Sequence, residues 1–125
     1  MKSIKMEPII GVKNVRKSSQ WYQSLLGCTS THTGDTFDML ADEKGDVFLC
    51  LHKWGEHEHP TLSDSSLLPG NGLILYLKVE ILDMVWNNAQ KIMAKIEEKR
   101  QINPNSGKEQ FSIRDLDGYY LMISL

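Results

Sequence analysis

Apolar residues follow two different spacings along this chain, one typical of helices and one typical of strands. Between Val15 and Leu26, apolar or small residues recur at intervals of three and four, which predicts a helix with one buried face. Asn14 is a suitable N-cap for this helix, and Gly27 is a suitable C-terminal stop. A second stripe with the same spacing predicts another helix and consists of Leu82, Val85, Ala89, Ile92, Met93 and Ile96.

Two apolar runs that surround tight turns predict β-hairpins. Residues 37–51 contain a turn at 42–45, and residues 111–125 contain a turn at 115–118. Each turn ends in a glycine, which adopts the positive φ that such a turn or its bulge requires. The region between the two halves contains no clear period, so we predict a long connection there.

The two halves match each other as copies of one β-α-β-β-β unit. Val12 aligns with Val79 at an offset of 67 residues (79 minus 12), and the strand-to-helix pattern continues through both predicted helices. The predicted class is therefore α+β, with two βαβββ modules that form a cupped mixed sheet and carry their helices on its outer face. We expect one domain over residues 1–125, with a first module at about 5–54, a linker at about 55–72 and a second module at about 73–125.

Composition narrows the range of partners and compartments. The chain has 125 residues, is 41% hydrophobic and carries a formal charge of −2, with its lysines scattered, so nucleic acid is not expected to bind. It has no apolar run of about 20 residues and no apolar leader, which argues against a membrane span and a secretory signal. Cys28 and Cys50 lie in no metal-binding spacing, so we expect buried reduced thiols in a cytoplasmic protein.

Three segments resemble a known family. They are residues 8–15, the helix that contains Trp21 and Tyr22 and ends at Gly27, and the hairpin of residues 111–119. They are similar to the vicinal oxygen chelate superfamily, which includes glyoxalase I, bleomycin-resistance proteins and extradiol dioxygenases. Asn14 and Leu116 depart from the usual pattern, where Asp and Pro are common. The resemblance implies two modules that close a U-shaped sheet, commonly in a homodimer.

The resemblance also implies where a metal would bind. Metal-dependent members place ligands on the first and last strands of each half, and counting along this chain locates those positions at Glu7, Leu49, Ile74 and Met122. Three of these four side chains are apolar, and a thioether is a poor ligand for Zn, Ni, Mn or Fe(II). We therefore expect no metal, no cofactor and no metal-dependent glyoxalase or dioxygenase activity, as in the metal-free bleomycin-resistance-like members.

Strand alternation predicts which side chains face the concave side of the sheet. In the first module it places Leu49, Leu51 and Lys53 there, with Phe48 and Cys50 toward the helix. The predicted ligand contacts are Glu7, Leu49, Trp54, Ile74, Tyr76, Tyr120, Met122 and Arg114. This mixture suits a small, partly apolar or aromatic organic molecule, although the same positions could instead pack against the other half of the sheet.

Acid–base chemistry is the main alternative function. His57 and His59 lie in a histidine-rich connection and could bind a metal, carry protons or form a polar lid without chemistry. Glu7 could act as a general base if it is desolvated, or could pair with Lys53 or Lys78. A lyase or isomerase of the same superfamily, or a dimerising scaffold with a filled cup, would fit these features. Arg114 could bind an anion, or could pair with an aspartate of its own hairpin.

Overall fold

The computed structural model describes residues 3–32, 34–57 and 59–125. It divides into two compact units, Met1–Leu67 and Leu68–Leu125. Each unit combines one α-helix of ten residues or more with a four-stranded mixed sheet. The predicted α+β class with two similar modules is therefore confirmed.

Unit 1 begins with a strand-helix pair and continues with three strands. Its β1 and β4 pair in parallel, while the other neighbouring strands are antiparallel, in the spatial order β1-β4-β3-β2. A short 3-10 helix, Pro60–Leu62, follows the sheet. The elements are β1 (Ile9–Val12), α1 (Val15–Leu26), β2 (Thr29–Ser30), β3 (Phe37–Ala41) and β4 (Val47–Lys53).

Unit 2 repeats this connectivity. Its sheet has the spatial order β5-β8-β7-β6, and β5 pairs with β8 in parallel, as β1 does with β4. The elements are β5 (Leu75–Lys78), α2 (Leu82–Lys91), β6 (Lys95–Ile102), β7 (Glu109–Arg114) and β8 (Tyr120–Ser124). The two predicted hairpins are confirmed as the antiparallel pairs β3–β4 and β7–β8.

Helix α1 begins and ends as predicted. The side-chain oxygen of Asn14 accepts a hydrogen bond from the backbone N–H of Lys17 at 3.0 Å, which satisfies one of the free donors of the first turn. Gly27 adopts a left-handed conformation with φ 71°, and its N–H donates to the carbonyl of Gln23. Tyr22 and Leu25 are fully buried on the predicted face.

Helix α2 is shorter than predicted. The apolar stripe continues to Ile96, but the helix ends at Lys91, Met93 is 88% exposed, and Ile96 lies in β6. Met93 has a left-handed backbone with φ 53°, the role that Gly27 has in unit 1. The prediction of one helical face through Met93 and Ile96 is therefore wrong. The helical spacing of apolar residues continues beyond the end of α2, and no glycine in the sequence indicates that end.

A β-bulge in β4 reverses the direction of the side chains that follow it. Leu40 pairs with Leu49, but the next residue of β3, Ala41, pairs with Val47, so Phe48 is an extra residue in its strand. Leu49 consequently lies on the face of Leu40 and Leu51, and it is 2% exposed. The predicted concave positions of Leu49, Leu51 and Lys53 are wrong, because a one-residue shift moves each side chain to the other face.

The faces of unit 2 follow the predicted alternation. Phe111 packs edge-on against Trp86 of α2, with ring centroids 5.0 Å apart, and shares its face with Leu77 and Ile123 through the strand register. Tyr76 and Met122 lie on the opposite face. We use the term open face for the side of each sheet that is turned away from the helix of its own unit.

Two further predictions concern cysteines and membranes. Cys28 and Cys50 are both buried and form no disulfide, as expected. Burial raises the pKa of the Cys28 thiol to about 11. Within the described ranges, the chain contains no helix with the length and apolarity that crossing a bilayer requires.

Candidate functional site

Four of the predicted ligand contacts lie together on the open face of unit 2. Tyr76 pairs with Met122 across β5 and β8, and Tyr120 pairs with Arg114 across β8 and β7. Directly paired residues of neighbouring strands point to the same side of a sheet. We call this group, Tyr76, Met122, Tyr120 and Arg114, the tyrosine face.

Tyr76 is the most accessible aromatic side chain of the tyrosine face. It is 46% exposed, and its hydroxyl lies 3.1 Å from the Oγ of the buried Ser124. The Nζ of Lys78 lies 5.7 Å from the ring centroid, which is within the range of a cation–π contact. The hydroxyl is thus oriented by the sheet while much of the ring remains accessible to solvent.

Tyr120 is held by hydrogen bonds on the same face. Its hydroxyl donates to Oε1 of Glu98 at 2.8 Å and lies 2.9 Å from the Oγ of Ser112. The Ser112 bond favours the phenolate, but burial and the Glu98 carboxylate outweigh it and raise the pKa of Tyr120. The same hydroxyl, followed by the amide of Gln101, lowers the pKa of Glu98. Tyr120 therefore stays a neutral donor at neutral pH.

Arg114 lies over the ring of Tyr120. Its guanidinium carbon is 5.0 Å from the ring centroid, its Nε donates to Glu97 at 2.9 Å, and its Nη1 donates to the carbonyl of Gly118 at 3.0 Å. Arg114 thus forms an ion pair with Glu97 on β6. These contacts keep a positive charge beside the tyrosine face.

Other predicted contacts lie elsewhere. Ile74 is 53% exposed and precedes β5. Glu7 precedes β1, its side chain is 41% exposed, and it pairs with Lys5 at 3.5 Å. Glu7 therefore does not meet the condition of desolvation that a general base requires, and the lysine that it pairs with is Lys5, not Lys53 or Lys78.

The residues of this chain do not fit the metal site of the metal-dependent enzymes that its sequence resembles. After the bulge, Cys50 rather than Leu49 is the unit 1 counterpart of Met122, since Cys50 pairs with Ile9 as Met122 pairs with Tyr76. Burial, followed by the charges of Glu7 and Asp38, raises the pKa of Cys50, which opposes the thiolate form that metals need. Among the described residues, no group of three or more His, Cys, Asp or Glu side chains could hold a metal ion.

The histidine-rich connection packs on the open face of unit 1. His52, the last buried residue of β4, is 2% exposed, and the rings of His57 and His59 lie edge-on to it at 5.0 and 4.9 Å. The ring of Phe37 lies 6.0 Å away on the neighbouring strand. His57 and His59 are candidates in the sequence but His52 is not, because strand alternation without the bulge places His52 on the opposite face.

Trp54 lies next to this histidine group. A Cβ atom on Gly11 would come within 2.8 Å of the Trp54 ring and 2.9 Å of Leu62, so these side chains lie directly on the Gly11 backbone. Gly11 pairs with His52 across β1 and β4. Trp54 directly follows the end of β4 and is half-buried in this position.

A polar groove of about 450 Å³ lies on the helix side of unit 1. The buried Asp38 carboxylate lines it and accepts hydrogen bonds from the hydroxyl of Ser30 and the backbone N–H groups of His32 and Met39. These donors all belong to the sheet edge and the adjacent loop. They satisfy the buried carboxylate, so Asp38 has a structural role.

Comparisons with known proteins support the fold. No protein-family model matches the chain, and no curated protein matches it. Among solved structures, it is similar to a protein of unknown function from Agrobacterium tumefaciens (TM-score 0.79, 17% identity, covering 99% of this chain and 95% of that one). It is similar to TioX from Micromonospora sp. (TM-score 0.74, 16% identity, covering 98% of each chain).

A third similar structure has a descriptive family name. It is a glyoxylase/bleomycin resistance protein/dioxygenase domain from Frankia sp., with a TM-score of 0.71 and 22% identity, covering 100% of this chain and 92% of that one. At such identities the likeness concerns the fold and leaves the chemistry open. The chain therefore has the fold of the vicinal oxygen chelate superfamily, as its sequence motifs predicted.

Proposed function

We propose that the protein binds a small organic molecule with an aromatic or partly apolar body, and that the tyrosine face of unit 2 contacts it. The observation that carries this proposal is the accessible ring of Tyr76, which the sheet orients through Ser124 and which lies beside Lys78. An aromatic ring held in this way offers a flat surface for stacking.

The chemistry of the face indicates the kind of ligand. Met122 is paired with Tyr76 and offers a polarizable apolar surface, while Lys78 and Arg114 offer positive charge. Arg114 is already paired with Glu97, so Lys78 is the better contact for an anionic group. We therefore propose a planar aromatic ligand that carries a carboxylate or another acidic substituent.

Binding of this kind requires no metal or cofactor. The aromatic, thioether and ammonium groups act through stacking, dispersion and charge, and none of these effects needs an electron sink or a Lewis acid. We accordingly propose a binding protein rather than a metal-dependent enzyme.

Fluorescence of the probe anilinonaphthalene sulfonate, an anionic aromatic dye, tests the proposal. We expect Tyr76→Ala to weaken dye binding about tenfold, since one stacking contact contributes on the order of 1.5 kcal/mol. Met84→Ala is the matched control, because Met84 is a similarly exposed side chain (44%) on α2. Equal affinity of the two variants, or no dye binding by the folded protein, would contradict the proposal.

We also propose that the protein is a cytoplasmic homodimer. Two buried free thiols support a reducing compartment. Exposed apolar side chains at Leu67, Leu68 and Ile74 support association of two copies. Light scattering of the purified chain measures the mass directly, and a mass near 14.3 kDa, that of one chain, would contradict the dimer.

A further inference from the structure

The histidine group of unit 1 has a defined hydrogen-bond direction. The Nδ1 atom of His52 lies 2.8 Å from the carbonyl oxygen of Lys53, and its Nε2 atom lies 3.1 Å from Nδ1 of His57. A carbonyl oxygen can only accept, so Nδ1 of His52 must carry a hydrogen and donate it. These two contacts therefore constrain both rings.

The position of the hydrogen on His52 also determines the position of the hydrogen on His57. A neutral imidazole carries one N–H group, so Nε2 of His52 has a lone pair and accepts. Nδ1 of His57 must then carry the hydrogen and donate it to His52. The remaining nitrogen of His57, Nε2, is left with an unprotonated lone pair.

The surroundings favour this arrangement over its alternative. The alternative has a doubly protonated His52 that donates from both nitrogens, but His52 is 2% exposed, and burial disfavours the charged ring. His57 itself is exposed, so its Nε2 can meet a molecule from solution. Within the described ranges, Nε2 of His57 has no hydrogen-bond partner.

The loop backbone holds His57 in place. His57 has a left-handed conformation with φ 59°, which is uncommon for a residue other than glycine and is concentrated at functional sites. The loop is closed by a hydrogen bond from the Gly55 N–H to the carbonyl of Leu62 at 2.7 Å, and by one from the Leu62 N–H to the carbonyl of His59 at 2.9 Å. Two backbone bonds thus support a strained conformation that presents one imidazole nitrogen.

We propose that Nε2 of His57 is a preorganised proton-acceptor site for a small molecule with a weakly acidic O–H group on an aromatic ring. His52 positions it, and the half-buried Trp54, on the backbone of Gly11 next to His52, offers the stacking surface. In full proton transfer, the O–H bond of the ligand breaks, its electron pair stays on oxygen, and the proton bonds to Nε2. The resulting imidazolium strengthens its donation from Nδ1 to His52. This site belongs to unit 1, so it goes beyond the tyrosine face and does not depend on it.

Nitrogen-15 NMR of the imidazole side chains tests the first half of the proposal. At about pH 8.5, we expect His52 and His57 each to carry a single hydrogen, on Nδ1. In His52→Phe the acceptor is lost, so the Nδ1 preference of His57 should disappear. A hydrogen on Nε2 of His57 in the unaltered protein would overturn the proposal.

Binding of two matched probes tests the second half. The probes are phenol, at about pH 8.5, where a phenolic hydroxyl with a pKa of about 10 is un-ionised, and anisole, its methyl ether without the acidic hydrogen. We expect the phenol to bind at least tenfold more tightly than the ether, and His57→Gln to remove this preference. His32→Gln is the control, because His32 is bonded to a backbone carbonyl, that of Phe37.

Every outcome of the probe experiment is decisive. Equal binding of phenol and ether, no binding of either, or a preference that survives His57→Gln would overturn the proton-acceptor site. Tyr76→Ala should leave the phenol preference unchanged. Loss of the preference in that variant would assign the probe to the tyrosine face and not to His57. Failure of this site would therefore be distinguishable from failure of the proposed function.

Discussion

The end of helix α2 allows a direct measurement of backbone strain. The Ala94 N–H donates to the carbonyl of Ala89 at 2.9 Å, and the Met93 N–H donates to Gln90 at 3.1 Å, which together form a Schellman motif. This motif normally has glycine at the left-handed position, but here Met93 occupies it with φ 53°. We predict that Met93→Gly stabilises the protein.

The magnitude follows from three contributions. Removing a Cβ from the left-handed conformation gains about 1–2 kcal/mol. The greater flexibility of glycine in the unfolded chain costs about 0.5–1 kcal/mol. The Met93 side chain is 88% exposed, so its removal loses almost no buried area. The net gain in the free energy of unfolding is therefore about 0.5–1 kcal/mol, which corresponds to a rise in Tm of about 2–4 °C.

Urea unfolding followed by circular dichroism measures this change. Met93→Ala is the matched control, because it removes the rest of the side chain but keeps the Cβ atom and its strain. In unit 1, Gly27→Ala adds a Cβ at φ 71°, where the space around it is open, and should lose about 1 kcal/mol. If Met93→Gly is no more stable than Met93→Ala, the strain at this position is not what the backbone geometry indicates.

Three further predictions concern buried and paired groups. Burial raises the pKa of both Cys28 and Cys50, so neither thiol should react with a maleimide at neutral pH until the protein unfolds, and native labelling would contradict this. Asp38→Ala leaves part-buried donors without their acceptor and should cost about 1–3 kcal/mol of unfolding free energy, with Asp38→Asn clearly milder. The pKa of Glu98 is lowered from 4.5 by its bond to Tyr120, so its contribution to stability is present above pH 4.5 and is lost as the pH falls through the lower folded pKa. A Glu98→Gln variant should therefore lose less stability than the parent chain between pH 5 and the acid transition in thermal melts, and parallel profiles would contradict the assignment.

Local signals predicted the first helix and the hairpins well. The ends of α1 at Asn14 and Gly27 could be identified because capping depends on residues adjacent in sequence. The faces of β5 and β8 were also predicted correctly, since these strands contain no irregularity and period two applies throughout. These features require no knowledge of distant contacts.

The bulge in β4 could not be predicted from local sequence. Counting from the hairpin turns treated the two halves as equal in length, but Phe48 adds one residue to β4, whereas β8 has no such addition. The count therefore selected Leu49 instead of Cys50, and the direction of His52 was missed as well. No local residue pattern indicates the bulge, because Val47, Phe48 and Leu49 are all suited to a regular strand.

The two units share one strand-and-helix arrangement but have different side chains on their open faces. Toward the helices both units carry fully buried apolar side chains such as Leu51 and Ile123, because that side packs on a helix. On the open side, the Gly11–His52 pair of unit 1 corresponds to the Lys78–Ser124 pair of unit 2, through the offset of the first strands and the strand register. Glycine at this position lets Trp54 lie on the strand in unit 1, whereas unit 2 has a lysine beside Tyr76. Packing on the helix does not restrict these positions, so the two units can carry different residues here within the same strand pairing.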